Sequence, residues 1–364
     1  MDINYNIISL IETLGFVQGV ILGLILLIIS YKKQKTTIFL SLFILAFSFH
    51  FVPIILEDLH IIKNYPILTL PPFNATWIAL PLFFIYIHKI SIFSQEKTPY
   101  WVLYPGLLVY IFQLVVFLLP VETKLEIKNS PFTNMFFILG LLYVISLAIY
   151  TINYIRRHNK EVKNQYSSME HKDLRWANFF LICLIVPALL VLRSHFIAPT
   201  YNFRIVTACI AVSLIYWVTI KGGMQLNIPP ILPKRANPSE TQASISEEVL
   251  QDIVTQTEKF IISSEAYKSK ELTIVEIAEE LKVHPRRVST AINKISKKNF
   301  NSYINKFRID EAKKLILELE TNNLSVEGIG SEVGFHSKSA FYSAFKKNTN
   351  TTPSEYKNQY SKIS

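Results

Sequence analysis

The segment Ser325–Lys347 reads SVEGIGSEVGFHSKSAFYSAFKK and contains a glycine between two apolar stripes. Apolar side chains recur at helical spacing on both sides of Gly334, with Val326, Ile329 and Val333 before it and Phe341 and Phe345 after it. Glycine readily adopts the left-handed conformation that ends a helix. The segment therefore predicts two short helices joined by a tight turn, which is the helix-turn-helix arrangement.

Five polar side chains of this segment fall away from the apolar stripes. They are His336, Ser337, Lys338, Ser339 and Tyr342. Each can donate a hydrogen bond to a phosphate oxygen or to a base edge in the major groove of DNA. We predict that they form the DNA-contacting face of the second helix.

A second unit with the same pattern lies upstream. Thr273 followed by Glu276 is a capping-box pattern, and Pro285 stands where the first turn of the next helix is expected. The inward positions are Ile274, Ile277, Ala278 and Leu281, then Val288, Ile292 and Ile295. The outward positions of its second helix are Arg286, Arg287, Thr290, Asn293 and Lys294. Arg favours guanine and Asn favours adenine, so these residues are predicted to read DNA.

A long amphipathic helix is predicted between the two units. Its apolar stripe contains Phe300, Ile304, Phe307, Ala312, Leu315, Ile316 and Leu319. From Lys282 to Arg308 the chain has eight Lys or Arg residues and no acid, whereas acids elsewhere nearly balance the charge of the C-terminal part. The positive charge is therefore local, as expected for a surface that meets phosphate on one side. Two reading helices on one rigid chain would enter successive major grooves about 34 Å apart.

The last hundred or so residues resemble the AraC/XylS family of bacterial transcription regulators. The resemblance rests on Ser325–Lys347, on Thr352–Tyr356 (TPSEY) and on the upstream stretch Asn299–Ala312 (NFNSYINKFRIDEA), and it covers roughly residues 271–356. It implies two helix-turn-helix units joined by a long helix, which bind promoter DNA, often as a dimer. Family members usually carry a soluble sensor domain, so a membrane half with several spans is a departure from the family.

Three smaller departures from the family pattern concern single residues. Asn350 stands where the family usually has Gly, and Asn is the next-best residue for a positive φ. Gly328 and Gly330 lie inside a predicted helix, where each costs up to about 1 kcal/mol relative to Ala. Either this unit is the less stable one or its helices approach unusually closely.

The first two thirds of the chain are too apolar for a water-soluble protein. Half of all residues are hydrophobic and the mean hydropathy is +0.30. Seven runs meet or approach the 20 or so apolar residues that a membrane span needs. They are Ile7–Ser30, Ile38–Leu56, Ile67–Phe93, Trp101–Leu119, Phe132–Ile155, Trp176–Phe196 and Phe203–Ile220. The predicted fold class is all-α, a seven-helix transmembrane bundle followed by a linker and a double helix-turn-helix domain.

The distribution of basic residues between alternate loops predicts the orientation. One set of loops holds Lys32, Lys33, Lys35, Lys89, Lys97, Arg156, Arg157, Lys160, Lys163, Lys172, Arg175, Lys221, Lys234 and Arg235. The other set holds Lys63, Lys124, Lys128, Arg193 and Arg204. The richer set is expected to face the cytoplasm. This predicts a multi-pass protein of the bacterial cytoplasmic membrane with its N-terminus outside and its DNA-binding part inside.

Several ionisable residues lie near or within the predicted spans, where charge is costly. They are Glu12, His50, Glu57, Asp58, His88, Arg193, His195 and Arg204. Most are interfacial by position, but Glu57, Asp58, Arg193, His195 and Arg204 are together a candidate sensor for a ligand or a proton. Pro81 and Pro187 lie inside spans, where proline bends a helix.

Domain boundaries follow from these patterns. We predict a transmembrane domain over 1–221, a Pro/Gly/polar linker over 222–246, and a DNA-binding domain over 247–364 that begins with an amphipathic helix. The apolar stripe of that helix, Leu250, Ile253, Val254, Thr257, Phe260 and Ile261, packs either on the domain that follows or on a second copy.

Other chemistry finds little support in the sequence. Cys183 and Cys209 lie in apolar runs without metal-ligand spacing, so neither a disulfide nor a metal site is expected. No HExxH, GxSxG or Gly-rich phosphate loop is present, and neither a catalytic site nor a cofactor is predicted. The predicted function is a membrane-anchored, sequence-specific transcription regulator that is not an enzyme, with promoter DNA, the lipid bilayer, a second copy and an unknown signal ligand as partners. The alternative is a transporter or membrane receptor whose helix-turn-helix tail binds another protein.

Overall fold

The computed structural model describes residues 5–32, 35–196, 200–225, 246–318 and 324–360, and the regular elements of these residues are all helices. This confirms the predicted all-α class. The chain separates into two compact units. The first is Met1–Arg157 with Leu174–Ile228, and the second is His158–Asp173 with Pro229–Ser364. Residues 158–173 therefore belong with the C-terminal unit, although in sequence they lie between two apolar helices.

The first unit contains ten α-helices among the described residues, and the last eight residues of the eighth, 158–165, belong to the second unit. They are α1 (Ile7–Lys32), α2 (Ile38–Phe49), α3 (Phe51–Asp58), α4 (Ile61–Asn64), α5 (Thr76–Ile90), α6 (Tyr104–Phe117), α7 (Val121–Asn129), α8 (Pro131–Gln165), α9 (Arg175–Phe196) and α10 (Tyr201–Gly223). Each of the seven apolar runs holds at least one of them.

Five stretches of the described residues are long and apolar enough to cross a membrane. They are Ile7–Tyr31, Lys35–Asp58, Tyr100–Phe117, Pro131–Gln165 and Tyr201–Gly223. Two shorter apolar helices, Trp77–Ile90 and Arg175–Leu190, fall in the remaining two runs. The count of seven spans therefore remains a prediction.

Prolines account for two differences from the predicted runs. The second run is divided between α2 and α3, because Pro53 cannot donate a backbone hydrogen bond and its ring crowds the carbonyl of Phe49. The third run was predicted to begin at Ile67, which is wrong: α5 begins at Thr76, after the pair Pro71 and Pro72. Pro81, in contrast, lies inside α5 as predicted.

Helix α5 is the most buried helix of the first unit. Phe83, Phe84, Ile85, Tyr86 and Ile87 each expose 1% or less of their surface, so this helix is covered on all sides by protein. The Phe83 ring lies 5.2 Å from that of Phe43 on α2 and 4.9 Å from that of Phe180 on α9. These aromatic contacts hold α2, α5 and α9 together.

The surface of the first unit is apolar in several places. On α1, Leu10, Ile21 and Ile28 are 69%, 51% and 59% exposed, and on α6 Leu108 is 71% exposed. Exposed aliphatic side chains of this number are unfavourable in water and are expected in contact with lipid.

The second unit contains the double helix-turn-helix arrangement. Its helices are α11 (Glu247–Ser263), α12 (Ile274–Glu280), α13 (Pro285–Ile295), α14 (Phe300–Leu317), α15 (Val326–Glu332), α16 (Lys338–Thr349) and α17 (Pro353–Tyr360). Helices α12 and α13 form the first helix-turn-helix, α15 and α16 form the second, and α14 connects them.

Two separate hydrophobic cores stabilise these helix pairs, and α14 contributes to both. Phe300 and Ile304 lie in the first core, whereas Ile309, Ala312 and Ile316 lie in the second. The stripe of α11 packs into the first core through Leu250, Ile253, Val254 and Ile261. Of the two placements that the sequence left open for this stripe, the structure has the one on the adjoining domain.

Some predicted features lie outside the described residues. They include most of the linker predicted over 222–246, together with Lys33, Lys234, Arg235 and Leu319. Gly222 and Gly223 are described and form the end of α10.

Candidate nucleic-acid interface

Both helices of the first helix-turn-helix, α12 and the candidate reading helix α13, begin at a capped N-terminus. The Thr273 side chain accepts from the backbone N–H of Glu276 at 3.4 Å, and the Glu276 carboxylate accepts from the backbone N–H of Thr273 at 3.2 Å, which is the predicted capping box. At α13, Pro285 occupies the first turn, as predicted, and Nδ1 of His284 accepts from the backbone N–H of Arg286 at 3.2 Å. The capping role of His284 was not predicted.

The two helix-turn-helix units share one turn geometry. In the first, Lys282 has φ 52° and the Val283 N–H donates to the carbonyl of Ala278 at 2.9 Å. In the second, Gly334 has φ 95° and the Phe335 N–H donates to the carbonyl of Gly330 at 2.9 Å. A Cβ at Gly334 would lie 2.6 Å from the carbonyl oxygen of Lys268, so this position requires glycine for space as well as for conformation.

The predicted residues of α13 lie on the face opposite its buried side chains. Val288, Ala291 and Ile292 are buried, whereas Arg287, Asn293 and Lys294 are exposed, and Arg286 and Thr290 are half-buried. Nδ2 of Asn293 donates to the carbonyl of Ser289 at 2.8 Å. The helix thus presents two cations and an amide on one free surface, which are the groups that contact phosphates and base edges.

The predicted residues of α16 already have partners within the protein. Ser337 is the N-cap, and its side chain accepts from the Ala340 N–H at 3.4 Å. Nζ of Lys338 lies 2.6 Å from Oε1 of Glu327, and this hydrogen bond lowers the pKa of Glu327 and raises the pKa of Lys338. Tyr342 lies beneath Lys338, whose Nζ is 5.4 Å from the ring centroid. Ser339 is exposed.

His336 is connected to residues 158–173 through Glu271. Nε2 of His336 lies 2.7 Å from Oε1 of Glu271, and Nζ of Lys172 lies 2.7 Å from Oε2 of the same carboxylate. Burial alone would raise the pKa of Glu271, but the hydrogen bonds and charges of Lys172 and His336 outweigh it, so the pKa is lowered. One carboxylate thus bridges a predicted DNA contact and the segment that follows α8.

Arg308 belongs to the basic stretch in sequence but not to the basic surface. It is 1% exposed, and desolvation lowers its pKa to about 10, so it stays charged at neutral pH. Its guanidinium donates to the carbonyls of Tyr267 and Ser269, both at 2.7 Å, and to Oγ of Ser167 at 3.1 Å. The expectation that all eight basic residues form one face is therefore wrong for Arg308, which holds together the segments that surround α14.

Ser167 is the centre of this contact. Its carbonyl accepts from Nδ2 of Asn301 at 2.6 Å, and its backbone N–H donates to the carbonyl of Leu272 at 3.0 Å. The adjacent Tyr166 forms an isolated antiparallel bridge with Thr273, the N-cap of α12. Residues 166 and 167 are thereby attached to both α12 and α14. No sequence pattern predicted this contact between distant parts of the chain.

Comparison with known proteins bears on this part of the chain. A family described as "Helix-turn-helix domain" matches residues 277–359. The E. coli K12 protein named "Uncharacterized HTH-type transcriptional regulator YijO" is 34% identical over 89 residues, which are 24% of this chain and 30% of that protein. The C-terminal part of this chain is an AraC-type helix-turn-helix domain.

Two further similarities are to a curated protein and to a solved structure. "Histidine kinase P4" of Formosa agariphila is 34% identical over 132 residues, which are 35% of this chain and 9% of that protein. The chain thus spans less than a third of either curated relative. A solved structure, "The C-terminal domain of AraT, a response regulator from Geobacillus stearothermophilus", is 28% identical and covers 30% of this chain and 87% of its own, with a TM-score of 0.27.

The AraC-type domain has the left-handed Asn350 that the sequence predicted, with φ 61°. It also explains one of the two helix-interior glycines. A Cβ at Gly330 would lie 2.7 Å from Cδ1 of Phe341, so α15 and α16 approach closely at this point. Of the two readings that the sequence left open for Gly330, close approach is the one that the structure supports.

Several ionisable residues of the membrane half have partners within the unit. Arg204 pairs with Asp58, and Lys128 pairs with Glu57 at 2.9 Å. Nδ1 of His88 lies 2.8 Å from the hydroxyl of Tyr154. The side chains of Arg193 and His195 lie outside the described residues, so the five-residue sensor stays a prediction. Among the described residues, no group of three or more His, Cys, Asp or Glu is placed to hold a metal ion.

Proposed function

We propose that this protein is a membrane-anchored transcription regulator that binds specific promoter DNA and that its membrane half receives a signal. The observation that carries the proposal is the exposed face of α13, with Arg287, Asn293 and Lys294, on a domain of AraC type in a chain whose other unit has apolar helices of membrane-spanning length. The proposed activity is binding, with no catalytic step and no cofactor.

We propose that the two reading helices differ before DNA binds: the contact residues of α13 are largely exposed, whereas those at α16 are paired within the protein. On α13, Arg286, Arg287, Thr290, Asn293 and Lys294 are the proposed DNA contacts, and the exposed members of this set are ready to meet a groove. At the start of α16, His336 in the preceding turn is held by Glu271 and Lys338 is held by Glu327, and both must exchange these carboxylates for DNA phosphates or bases. Because this exchange must precede DNA contact, we propose that the signal controls DNA binding through the second helix-turn-helix unit.

Residues 158–173 are the proposed route for the signal. Helix α8 runs without a break from Pro131 to Gln165 and is about 52 Å long at 1.5 Å per residue, longer than the roughly 30 Å hydrocarbon core. The segment directly after it contacts Arg308 and Glu271 of the DNA-binding unit. A shift of α8 would therefore change the contacts that hold His336.

We place the DNA-binding domain in the cytoplasm of a bacterium and the N-terminus outside. The excess of Lys and Arg in one set of alternate loops supports this orientation. Two copies of the chain in one membrane would present four reading helices, and a dimer is part of the proposal. Labelling of single introduced cysteines with an impermeant thiol reagent, at Lys63 and at Lys160, tests the orientation: Lys63→Cys is expected to react in intact cells, and Lys160→Cys only after lysis.

The DNA-binding proposal is tested with the full-length protein in lipid nanodiscs, because residues 158–173 belong to the same compact unit as the DNA-binding domain. The protein is mixed with fragmented genomic DNA at several salt concentrations, and the bound DNA is sequenced. Recovery of discrete promoter sites at physiological salt is the expected result. Binding that is blind to sequence and lost with added salt would contradict it.

A matched pair of variants separates base reading from phosphate contact. Arg287→Ala is expected to cost about 1–3 kcal/mol and to relax the sequence preference at one position. Lys297→Ala, just after α13, is expected to weaken binding to all sequences alike and to reduce the salt dependence. Equal losses on specific and random DNA for Arg287→Ala would contradict its assignment. A tail that captures another protein and no DNA would favour the transporter or receptor alternative.

A further inference from the structure

The membrane unit contains a partly open cavity of about 260 Å³ whose walls come from α1, α2, α3, α5, α8, α9 and α10. Most of its lining is apolar, and four phenylalanines, Phe43, Phe47, Phe51 and Phe137, contribute to it. The volume is slightly below the roughly 300–1,000 Å³ of typical ligand pockets, so it limits any occupant to a small molecule.

Three polar side chains, Glu12, His50 and Thr207, line this space, and the Thr207 hydroxyl is satisfied by the carbonyls of Phe203 and Arg204 on its own helix. Glu12 is 6% exposed, and its Oε2 has no hydrogen-bond partner among the described residues. Nδ1 of His50 is also buried without a partner. A buried polar atom without a partner costs free energy, and a buried carboxylate costs more, so an arrangement of this kind calls for an explanation.

The nearby charges do not supply the missing partner. Asp58 and Arg204 lie close enough to Glu12 to interact with it electrostatically, but they form an ion pair with each other. An Asp–Arg pair has no net charge, so an ionised Glu12 carboxylate is left uncompensated. A buried carboxyl of this kind either takes up a proton or pairs with a cation. A positively charged group with N–H donors would satisfy the ionised form, and aromatic rings around it add cation–π attraction.

From this geometry we infer that the cavity is the binding site for a small organic amine, with its ammonium group on Glu12 and its apolar or aromatic body among the phenylalanines. The inference rests on the proposed function and gives its signal a chemical class. Nδ1 of His50 is the other unpartnered polar atom of the lining and would accept an N–H of the ligand. Occupancy would bring α1, which carries Glu12, and α8, which carries Phe137, into contact with one ligand, and α8 leads to the segment that contacts Arg308.

The test uses full-length protein in nanodiscs and three amine probes: 2-phenylethylamine, tryptamine and cyclohexylmethylamine. The neutral isostere of the first, 2-phenylethanol, is the comparison compound. Binding is measured by calorimetric titration at neutral pH. We expect saturable binding of at least one amine and, for 2-phenylethylamine against its alcohol, a preference of about tenfold or more, as for one desolvated charged contact. Absence of saturable binding for all three amines, or equal affinity for amine and alcohol, would overturn the inference.

Three variants locate the site. Glu12→Gln is expected to remove the preference for the amine and to leave the affinity for the alcohol unchanged. Glu126→Gln is the matched control, because Glu126 is an exposed carboxylate on α7 that does not line the cavity, and it is expected to leave the preference for the amine unchanged. Ala211→Leu fills the cavity from α10 and is expected to abolish binding of both compounds, and it keeps the test valid if Glu12→Gln does not fold.

Unchanged amine affinity in both Glu12→Gln and Ala211→Leu would overturn the assignment. Promoter binding by the same preparations without amine is measured in parallel. If the wild-type protein binds promoter DNA but no amine, the inference about the cavity is wrong and the proposed function stands. If it binds no promoter DNA, the proposed function is contradicted.

Discussion

Gly330 and Gly328 are a matched pair on α15 for which opposite effects are expected. Replacement of either by Ala removes a helix-interior glycine and gains up to about 1 kcal/mol of helix propensity. The space around the new Cβ differs. At Gly330 it would lie 2.7 Å from Cδ1 of Phe341, whereas at Gly328 its nearest neighbour would be Oγ of Ser325 at 3.3 Å. We expect Gly330→Ala to destabilise the second helix-turn-helix unit and Gly328→Ala to stabilise it.

The magnitude follows from whether the neighbouring atom can move. Phe341 is 0% exposed, and its ring lies 5.4 Å from that of Phe335 and 5.7 Å from that of Phe345, so it has no room to withdraw. Overpacking of this kind costs about 1–3 kcal/mol, and part of it is offset by the propensity gain, which leaves a net loss of about 1–2 kcal/mol. The Ser325 side chain lies at the helix N-terminus and needs to move by only a few tenths of an ångström to make room for the new Cβ. Gly328→Ala is therefore expected to increase the stability of the unit by about 0.5–1 kcal/mol.

Hydrogen exchange of the full-length protein in nanodiscs measures both effects locally. A loss of about 1–2 kcal/mol speeds exchange of the α15 and α16 amides by roughly 5- to 30-fold in Gly330→Ala, and Gly328→Ala slows it. The α12 amides are the internal control, because the two helix-turn-helix units have separate cores. If both variants slow exchange, close packing of Phe341 is not the reason for Gly330.

Three further outcomes are expected. Arg308→Met leaves the carbonyls of Tyr267 and Ser269 without a donor and is expected to cost about 2–4 kcal/mol of local stability, read from exchange of the α14 amides. Unchanged protection would contradict its structural role. Lys282→Gly removes the strain of a left-handed backbone conformation and is expected to stabilise the first unit by about 0.5–1 kcal/mol. Urea unfolding, followed by hydrogen exchange of the α12 and α13 amides, measures this change. A decrease in stability would show that the Lys side chain matters more than its φ angle. Burial raises the pKa of Glu271, but Lys172 and His336 together lower it below the ordinary 4.5, so its contribution is present above that pH and is lost as pH falls through the lowered value. The melting-temperature difference between wild type and Glu271→Gln is therefore expected to shrink below pH 4.5, and a difference independent of pH would refute the ionic contact.

Local sequence signals predicted the DNA-binding domain well. The capping box at Thr273, the first-turn Pro285 and the left-handed Asn350 are each set by a few neighbouring residues, and the structure has all three. The positions of the glycine turn and of the inward phenylalanines of α16 follow from the same short-range rules.

Interactions between distant residues were beyond these signals. The contact between the Ser167 hydroxyl and Arg308 joins residues 141 positions apart. The other acceptors of Arg308 include the backbone carbonyls of Tyr267 and Ser269, which carry no sequence signature. For the same reason Arg308 could not be told from a surface cation by its place in a basic stretch. In the membrane half, hydropathy located the helices, but the late start of α5 depended on the two prolines before it.

The attachment of Ser167 to Arg308 and Asn301 also bears on how the regulator could be released. A protease that cut the chain between residues 226 and 245 would remove the covalent tether but not the hydrogen bonds that residue 167 makes to α14. The severed domain would stay on the segment that follows α8 until that contact also opened. Release of the domain would then need both cleavage and opening of this contact, and cleavage alone would not free it.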